Sequence, residues 1–134
     1  MKLNISKMGA LAAGLALAIS GAAFAGSKFT GNGSVTITKN ADGSGTAVGM
    51  LGFIYNAPTT NEFFGCQKYV TGGMYCQVKN EANVHVTCTT SSAFLSNAIS
   101  TLSPDARVTL RWNASGVCTY LQITHSSEYQ DKQG

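Results

Sequence analysis

The first 25 residues have the pattern of a secretory leader, which constrains how the rest of the chain can fold. Lys2 and Lys7 form a positively charged n-region, an apolar run follows over 8–19, and 23–25 has the small-x-small pattern of a signal-peptidase site. We expect cleavage after Ala25, with an uncleaved N-terminal anchor as the alternative. The exported chain would enter the periplasm or the medium, where an even number of cysteines favours disulfides over thiolate chemistry.

Length and charge narrow the class of the mature chain. Residues 26–134 suit a single disulfide-bonded domain. The full chain carries 9 Lys and Arg against 6 Asp and Glu, and loss of Lys2 and Lys7 leaves it nearly neutral. The sequence has no Lys/Arg cluster of the kind that follows a phosphate backbone, so no nucleic-acid partner is predicted. No second apolar stretch reaches membrane length, so no membrane partner is predicted after cleavage.

Apolar residues recur mostly with a period of two, which is typical of β-strands. We expect a mainly β (α+β) fold: an antiparallel sheet of about six strands built from hairpins, with one short helix near 92–102 across one face and two disulfides. Three hairpins are predicted, over 35–55, 62–79 and 106–124, with a single strand over 84–89. Gly49 and Gly52 suggest a bulge or close backbone packing in the returning arm of the first hairpin.

Two segments carry sharper predictions. The helix should begin after Ser91 or Ser92 as N-cap and place Phe94 with Leu95 and Ile99 on one side. In the last hairpin, the strand over 106–112 alternates apolar and polar residues, and its partner should place on one face every second residue of the segment: Val117, Thr119, Leu121 and Ile123.

The four cysteines, Cys66, Cys76, Cys88 and Cys118, permit three pairings. Because Cys66 and Cys76 lie on the two arms of one hairpin, Cys66–Cys76 with Cys88–Cys118 is the preferred pairing. A zinc site is the alternative, but the spacings contain no Cys-x-x-Cys pair. The sequence therefore predicts no metal and no cofactor.

Other candidate sites are weak on sequence grounds. His85 and His125 could act as ligands or bases, but neither has a partner nearby in the sequence. The turn over 40–45 faintly resembles a calcium loop with too few carboxylates. Ser126 and Ser127 beside His125 lack the Gly-x-Ser-x-Gly elbow of a hydrolase. No catalytic residue is predicted.

Aromatic residues are concentrated in the centre of the chain. Phe63 and Phe64 are adjacent, so alternation points them to opposite faces of a strand, and both can be buried only if each face is covered. An exposed aromatic patch would mark a binding surface for a sugar, a peptide or another copy of the protein. The candidate binding residues are Phe53, Tyr55, Phe63, Phe64, Tyr69 and Tyr75.

Several turn and cysteine positions carry a resemblance to a known group of sequences. They are Gly65-Cys66, Cys76, Cys88 and the segment Trp112-Asn113-Ala114-Ser115-Gly116-Val117-Cys118-Thr119. The chain resembles small exported bacterial proteins of unassigned function with a Gly-Cys…Cys…Cys…Trp-(Asp/Asn)-x-Ser-Gly-x-Cys-Thr pattern. The resemblance implies a disulfide-bonded fold and assigns no chemistry.

Together these features predict a small exported, non-enzymatic binding or cell-surface protein. Its partner would be a protein, a peptide or a glycan, recognised through a sheet face or loops. One alternative is a structural subunit of an extracellular assembly that self-associates through edge strands, since the N-terminal segment is rich in Thr, Ser and Gly. A second alternative is a small secreted hydrolase or an inhibitor of one.

Overall fold

A computed structural model describes residues 35–57 and 61–126. The predicted leader and Ser127 lie outside these residues. The described residues form seven strands, two short α-helices and one 3-10 turn. In chain order they are β1 (Val35–Lys39), β2 (Gly45–Met50), α1 (Leu51–Tyr55), β3 (Phe63–Lys68), β4 (Met74–Lys79), β5 (His85–Thr90), α2 (Ala93–Ala98), the 3-10 turn (Ile99–Thr101), β6 (Ala106–Trp112) and β7 (Cys118–His125).

The strands form two antiparallel sheets, one of order β1-β2-β6-β7 and one of order β3-β4-β5. The mainly β class, the three hairpins and the lone strand are confirmed. The single sheet expected from the sequence is instead two, because β5 forms no ladder with β6 or β7. A parallel bridge between Thr89 and Val117 joins the edges of the two sheets.

The two sheets pack face to face and share one core. In β6 the alternation is as predicted: the apolar residues are buried, and Arg107 and Arg111 are exposed. Leu95 and Ile99 pack against the core from α2 and the 3-10 turn. The fully or largely buried cluster contains Val35, Ala47, Met74, Cys76, Val78, Val86, Cys88, Leu110, Trp112 and Cys118. A β-sandwich is therefore the architecture.

Both preferred disulfides are confirmed. Cys66 and Cys76 lie directly opposite each other on β3 and β4, with their Cα atoms 4.1 Å apart. Cys88 on β5 bonds to Cys118 on β7, with a Cα separation of 5.2 Å. One bridge therefore reinforces a single sheet, and the other ties the two sheets together.

The returning arm of the first hairpin differs from the prediction. β2 ends at Met50, and the chain then forms α1, so the expected strand through Tyr55 is wrong. A Cβ on Gly49 would lie 2.7 Å from Phe64 Cδ2 and 3.1 Å from Ile54 Cδ1. Gly49 thus allows close packing, as its position suggested, and α1 folds back over it. The helix stops where Asn56 donates both its backbone N–H (3.2 Å) and its side-chain amide (2.9 Å) to the Gly52 carbonyl.

The last hairpin contains a β-bulge that the alternation pattern did not predict. Arg111 pairs with Tyr120 and Trp112 with Cys118, so Thr119 is an extra residue. Side-chain faces therefore switch within β7: Cys118 points inward, whereas Thr119 is exposed. The prediction that Val117 and Thr119 share the face of Leu121 is wrong, because the bulge turns Cys118 toward Cys88.

The helix after β5 begins as predicted. The Ser92 hydroxyl accepts a hydrogen bond from the Leu95 N–H (3.4 Å), so Ser92 is the N-cap. Phe94, expected on the buried side, is instead 84% exposed. A helix of six residues buries only a narrow stripe: Ser96 is its one buried residue, and Leu95 packs against the core together with Ile99 of the following turn.

Candidate binding surface at one end of the sandwich

Four connecting segments meet at one end of the sandwich, which we call the loop end: residues 40–44, 69–73, 91–94 and 113–117. Trp112 Nε1 donates to the Gly43 carbonyl (2.9 Å), which holds the first segment beside the fourth. The Thr89 N–H donates to the Gly116 carbonyl (3.1 Å), which holds the fourth segment beside the end of β5. A Cβ on Gly73 would lie 2.5 Å from the Thr90 carbonyl oxygen, so the second segment touches the start of the third.

The turns at the loop end satisfy their own backbone. The N–H groups of Asn40, Tyr69 and Asn113 donate to the carbonyls four residues ahead, at 2.8, 3.1 and 3.0 Å. Gly73 has a φ of +84° and so takes a conformation that glycine accepts without strain. Main-chain bonds thus close the first, second and fourth segments, and the side chains of Asp42 and Asn113 accept further backbone N–H groups within their own turns.

Exposed apolar side chains are concentrated here. Six large hydrophobic residues of the described chain are exposed. Four belong to the loop end: Tyr69, Val70, Phe94 and Val117. Val70 is fully exposed, at 107%, and Phe94 is 84% exposed. Exposed apolar groups that cluster on one surface are typical of a binding site.

The charged groups around the loop end have local partners. Asp42 accepts from the Ser44 hydroxyl (2.6 Å) and the Ser44 N–H (2.9 Å), and these bonds hold the pKa of Asp42 below its ordinary value. Lys68 Nζ donates to Asn97 Oδ1 (2.8 Å). The four segments are rich in Ser and Gly and also contain Asn40, Asn113 and Tyr69, residue types that are frequent in antibody binding loops.

The structure distributes the six aromatic residues predicted for a binding surface over separate regions. Only Tyr69 lies at the loop end. Phe64 packs against the core, whereas Phe63 and Tyr75 lie on the outer face of the three-stranded sheet. The Phe63 ring is 5.6 Å from the His85 ring, centroid to centroid. Phe53 and Tyr55 belong to α1, at the opposite end of the sandwich.

Sequence reasoning missed Val70, Phe94 and Val117 as surface residues. Val70 could have been found, because it is the last residue of the strand predicted before Gly72-Gly73, next to a turn that should lie on the surface. Phe94 and Val117 had no such signal, since each follows the apolar pattern of a predicted element. Their exposure depends on the short helix and on the bulge.

The opposite end of the sandwich contains a polar cluster around His125. The Ser103 hydroxyl contacts Asp105 Oδ1 and lies 2.9 Å from His125 Nδ1. His125 Nδ1 is 3.7 Å from Asp105 Oδ1. The hydrogen bond from Ser103 is the main reason why the pKa of Asp105 is lowered. Because Ser103 and Asp105 both face Nδ1, the geometry differs from a catalytic triad, in which the serine bonds to Nε2.

An apolar pocket lies beside this cluster. It has a volume of about 410 Å³ and is lined by Leu51, Tyr55, Leu102, Ser103 and Pro104. Tyr55 is 86% exposed at its rim. Ser103 is the residue that the pocket and the His125 cluster share.

The described residues contain no group of three or more His, Cys, Asp and Glu side chains arranged to hold a metal ion. The 40–45 turn contains one carboxylate, that of Asp42, which already accepts two hydrogen bonds from Ser44. Within residues 35–57 and 61–126, no helix is long and apolar enough to cross a membrane. Comparisons with protein-family models, curated proteins and solved structures found no match.

Proposed function

We propose that this protein is an exported, non-enzymatic binding protein that holds a protein or peptide partner against the loop end. The observation that carries the proposal is the concentration of exposed apolar side chains there, above all Val70 and Phe94. Export rests on the N-terminal leader pattern and agrees with the two disulfides.

The energetics favour a protein or peptide over a glycan. Full burial of a Val or Phe side chain is worth about 1.5–3 kcal/mol, which an apolar pocket on a protein can supply. Aromatic side chains such as Phe94 are enriched in the buried centre of protein interfaces. The inter-sheet disulfide and the closed turns hold the loop end in place, so little ordering cost accompanies binding.

The edge-strand alternative has weaker support. The N–H of Val35, at the start of edge strand β1, donates to buried Glu62 Oε1 (3.2 Å) and is therefore not free to pair with another chain. Light scattering during size-exclusion chromatography tests this alternative. A strict monomer over a wide concentration range would overturn it.

Within residues 35–57 and 61–126, the cluster that most resembles a hydrolase site is Ser103, Asp105 and His125. In a triad the base takes the proton of the serine through Nε2, whereas here the hydroxyl faces Asp105 and Nδ1. A screen with ester and amide substrates tests it. Turnover that disappears in both Ser103→Ala and His125→Ala would overturn the non-enzymatic proposal.

Site-specific photo-cross-linking in the exporting cell tests the proposed surface. A photoreactive residue at position 70 or 94 should capture a discrete protein partner. The same residue at position 36, on the outer face of the four-stranded sheet, is the matched control and should capture none. Equal capture at positions 36, 70 and 94 would contradict the proposal.

Affinity for the captured partner gives a second test. Val70→Ser with Phe94→Ser should weaken binding by about 100-fold or more, since burial of each side chain is worth about 1.5–3 kcal/mol. Tyr55→Ser removes an equally exposed side chain at the opposite end and should leave affinity unchanged. Retained binding in the double variant would rule out the loop end as the contact surface.

A further inference from the structure

Three of the four cysteines lie in one row across the three-stranded sheet. Cys66 on β3 is opposite Cys76 on β4, and Cys76 is in turn opposite Cys88 on β5. Cys76 therefore has a cysteine on each side, although it is bonded only to Cys66. Cys88 is bonded outside the row, to Cys118.

Backbone pairing shows how close Cys76 and Cys88 are. The Thr89 N–H points away from β4, since it donates to the Gly116 carbonyl. Directions alternate along a strand, so the Cys88 N–H points toward Cys76, and the two residues form a hydrogen-bonded pair. Such pairs have Cα atoms about 5.5 Å apart, within the range that disulfides span.

The four cysteines differ in their accessibility. Cys76, Cys88 and Cys118 are 0%, 2% and 1% exposed. Cys66 is half-buried and lies on β3, the edge strand of its sheet. A thiol in solution therefore meets Cys66 first.

We propose that a thiol attacks Cys66, and that the released Cys76 then attacks the buried Cys88–Cys118 disulfide. Thiol–disulfide exchange thus proceeds from the sheet edge into the core. The thiolate of a low-molecular-weight thiol bonds to Cys66 Sγ, the Cys66–Cys76 bond breaks, and Cys76 leaves as a thiolate. Cys76 Sγ then bonds to Cys88 Sγ, the Cys88–Cys118 bond breaks, and Cys118 leaves as a thiolate that takes a proton from water. The products are a mixed disulfide at Cys66, a Cys76–Cys88 disulfide and a free Cys118 thiol.

The exchange removes the covalent tie between the two sheets. Cys118 directly follows residues 113–117 of the loop end, and its bond to Cys88 holds these residues beside β5. If the proposed function is correct, exchange loosens the binding surface, and thiols regulate the partner's affinity. The chemistry itself does not depend on the proposed function.

Peptide mapping of the oxidised protein tests the exchange without any partner. Cleavage after Lys68, Lys79, Arg107 and Arg111 places each cysteine on a different tryptic peptide. The protein is incubated with millimolar glutathione, free thiols are alkylated at acidic pH, and the non-reduced digest is analysed by mass spectrometry. We expect glutathione on Cys66, alkylated Cys118 and at least tenfold more of the Cys76–Cys88 linked peptides than in untreated protein.

Three results would overturn the proposal. They are glutathione first on Cys88 or Cys118, an adduct at Cys66 with no Cys76–Cys88 peptide, and no adduct in native protein under conditions that modify the urea-unfolded chain. Affinity of treated protein for the cross-linked partner is measured separately, so failure of the proposed function remains distinguishable from failure of the exchange.

A pair of variants isolates the second step. Cys66→Ala leaves Cys76 as a permanent thiol beside Cys88, so the purified protein should contain both the Cys76–Cys88 and the Cys88–Cys118 peptides. Cys66→Ala with Cys76→Ala lacks the attacking thiol and should contain only the Cys88–Cys118 peptide. If the single variant also contains only Cys88–Cys118, the inward transfer does not occur.

Discussion

The two ends of the sandwich differ in which side chains they expose. A main-chain bond closes the 40–44 turn at the loop end (2.8 Å) and another closes the 80–84 turn at the opposite end (3.1 Å), so the turns themselves are alike. Of the six exposed large hydrophobic residues in the described part of the chain, however, four belong to the loop end. The opposite end instead contains a polar cluster, in which Ser103 joins Asp105 to His125.

At the loop end, a rigid backbone and exposed apolar side chains are therefore found together. The loop end is fixed from within by the Cys88–Cys118 bond and by Trp112 Nε1 on the Gly43 carbonyl. The exposed side chains of Val70 and Phe94 are therefore attached to a rigid backbone while they remain accessible to a partner. Loss of the bond that fixes the loop end should therefore cause the largest change in stability, and changes at the opposite end should be smaller.

Removing the inter-sheet disulfide should have the largest effect. Cys88→Ala with Cys118→Ala opens a loop with a sequence separation of 30, and in the chain-entropy model this costs about 4 kcal/mol of unfolding free energy. Cys66→Ala with Cys76→Ala opens a loop with a separation of 10 and should cost about 3 kcal/mol. Urea denaturation measures both. A larger loss in the Cys66/Cys76 variant would contradict the view that the inter-sheet bridge dominates.

Adjacent glycines at the loop end should respond differently to a methyl group. Gly73→Ala places a Cβ 2.5 Å from the Thr90 carbonyl oxygen at a φ of +84°, and we expect a loss of about 3 kcal/mol. Gly72→Ala has a similar φ, +96°, but no atom within 4 Å of the added Cβ. It should cost only the backbone strain, about 1–2 kcal/mol. Thermal or urea unfolding of the two variants measures the difference, which reports the contact between the second and third segments. Equal losses of unfolding free energy would show that this contact does not stabilise the protein.

At the opposite end, Glu62→Ala should cost about 1–2 kcal/mol, because the Val35 N–H loses its acceptor. Glu62→Gln keeps an acceptor oxygen but removes the charge, so in urea denaturation it should lower the unfolding free energy by less than Glu62→Ala does, by about 0.5–1 kcal/mol. Comparable losses in both variants would indicate that the charge of Glu62, rather than its hydrogen bond, stabilises this end.

The smallest effect concerns pH. Hydrogen bonds from Ser44 and Ser103 lower the pKa values of Asp42 and Asp105. A carboxyl group whose folded pKa is depressed stabilises the fold above its unfolded pKa, and that contribution disappears as the pH falls through the folded pKa. The urea midpoint should therefore decline below about pH 4. This decline of the urea midpoint should be shallower in Asp42→Asn and in Asp105→Asn, and the two variants should differ little from each other. If the midpoint of both variants falls with pH as steeply as that of the unmodified protein, other groups cause the decline.

Much of the fold could be predicted from local sequence. β4 and β6 begin and end where alternation predicted, because one face of each strand is buried and the other is not. The capping role of Ser92 is likewise a local property. The segment after Met50 was misassigned because its helix depends on Ile54 and Phe64 packing over Gly49, and Phe64 belongs to a different sheet.

The candidate site was much less predictable. Tyr69 was identified as a candidate binding residue, but the aromatic criterion combined it with residues from three other regions. Val117 and Phe94 were expected on buried faces. Their exposure follows from the bulge at Thr119 and from the six-residue length of α2, which no apolar period reveals.

The sequence by itself determined the mainly β class and the three hairpins, and it favoured the Cys66–Cys76 bond across one hairpin, because these features depend on alternation, turn residues and short separations along the chain. Only the tertiary structure decided that the strands divide into two sheets and that four distant segments meet at one end. Those features depend on contacts such as Trp112 with Gly43 and Cys88 with Cys118. The residues in such contacts are far apart in sequence, and local periodicity does not determine which surfaces of separate hairpins pack together.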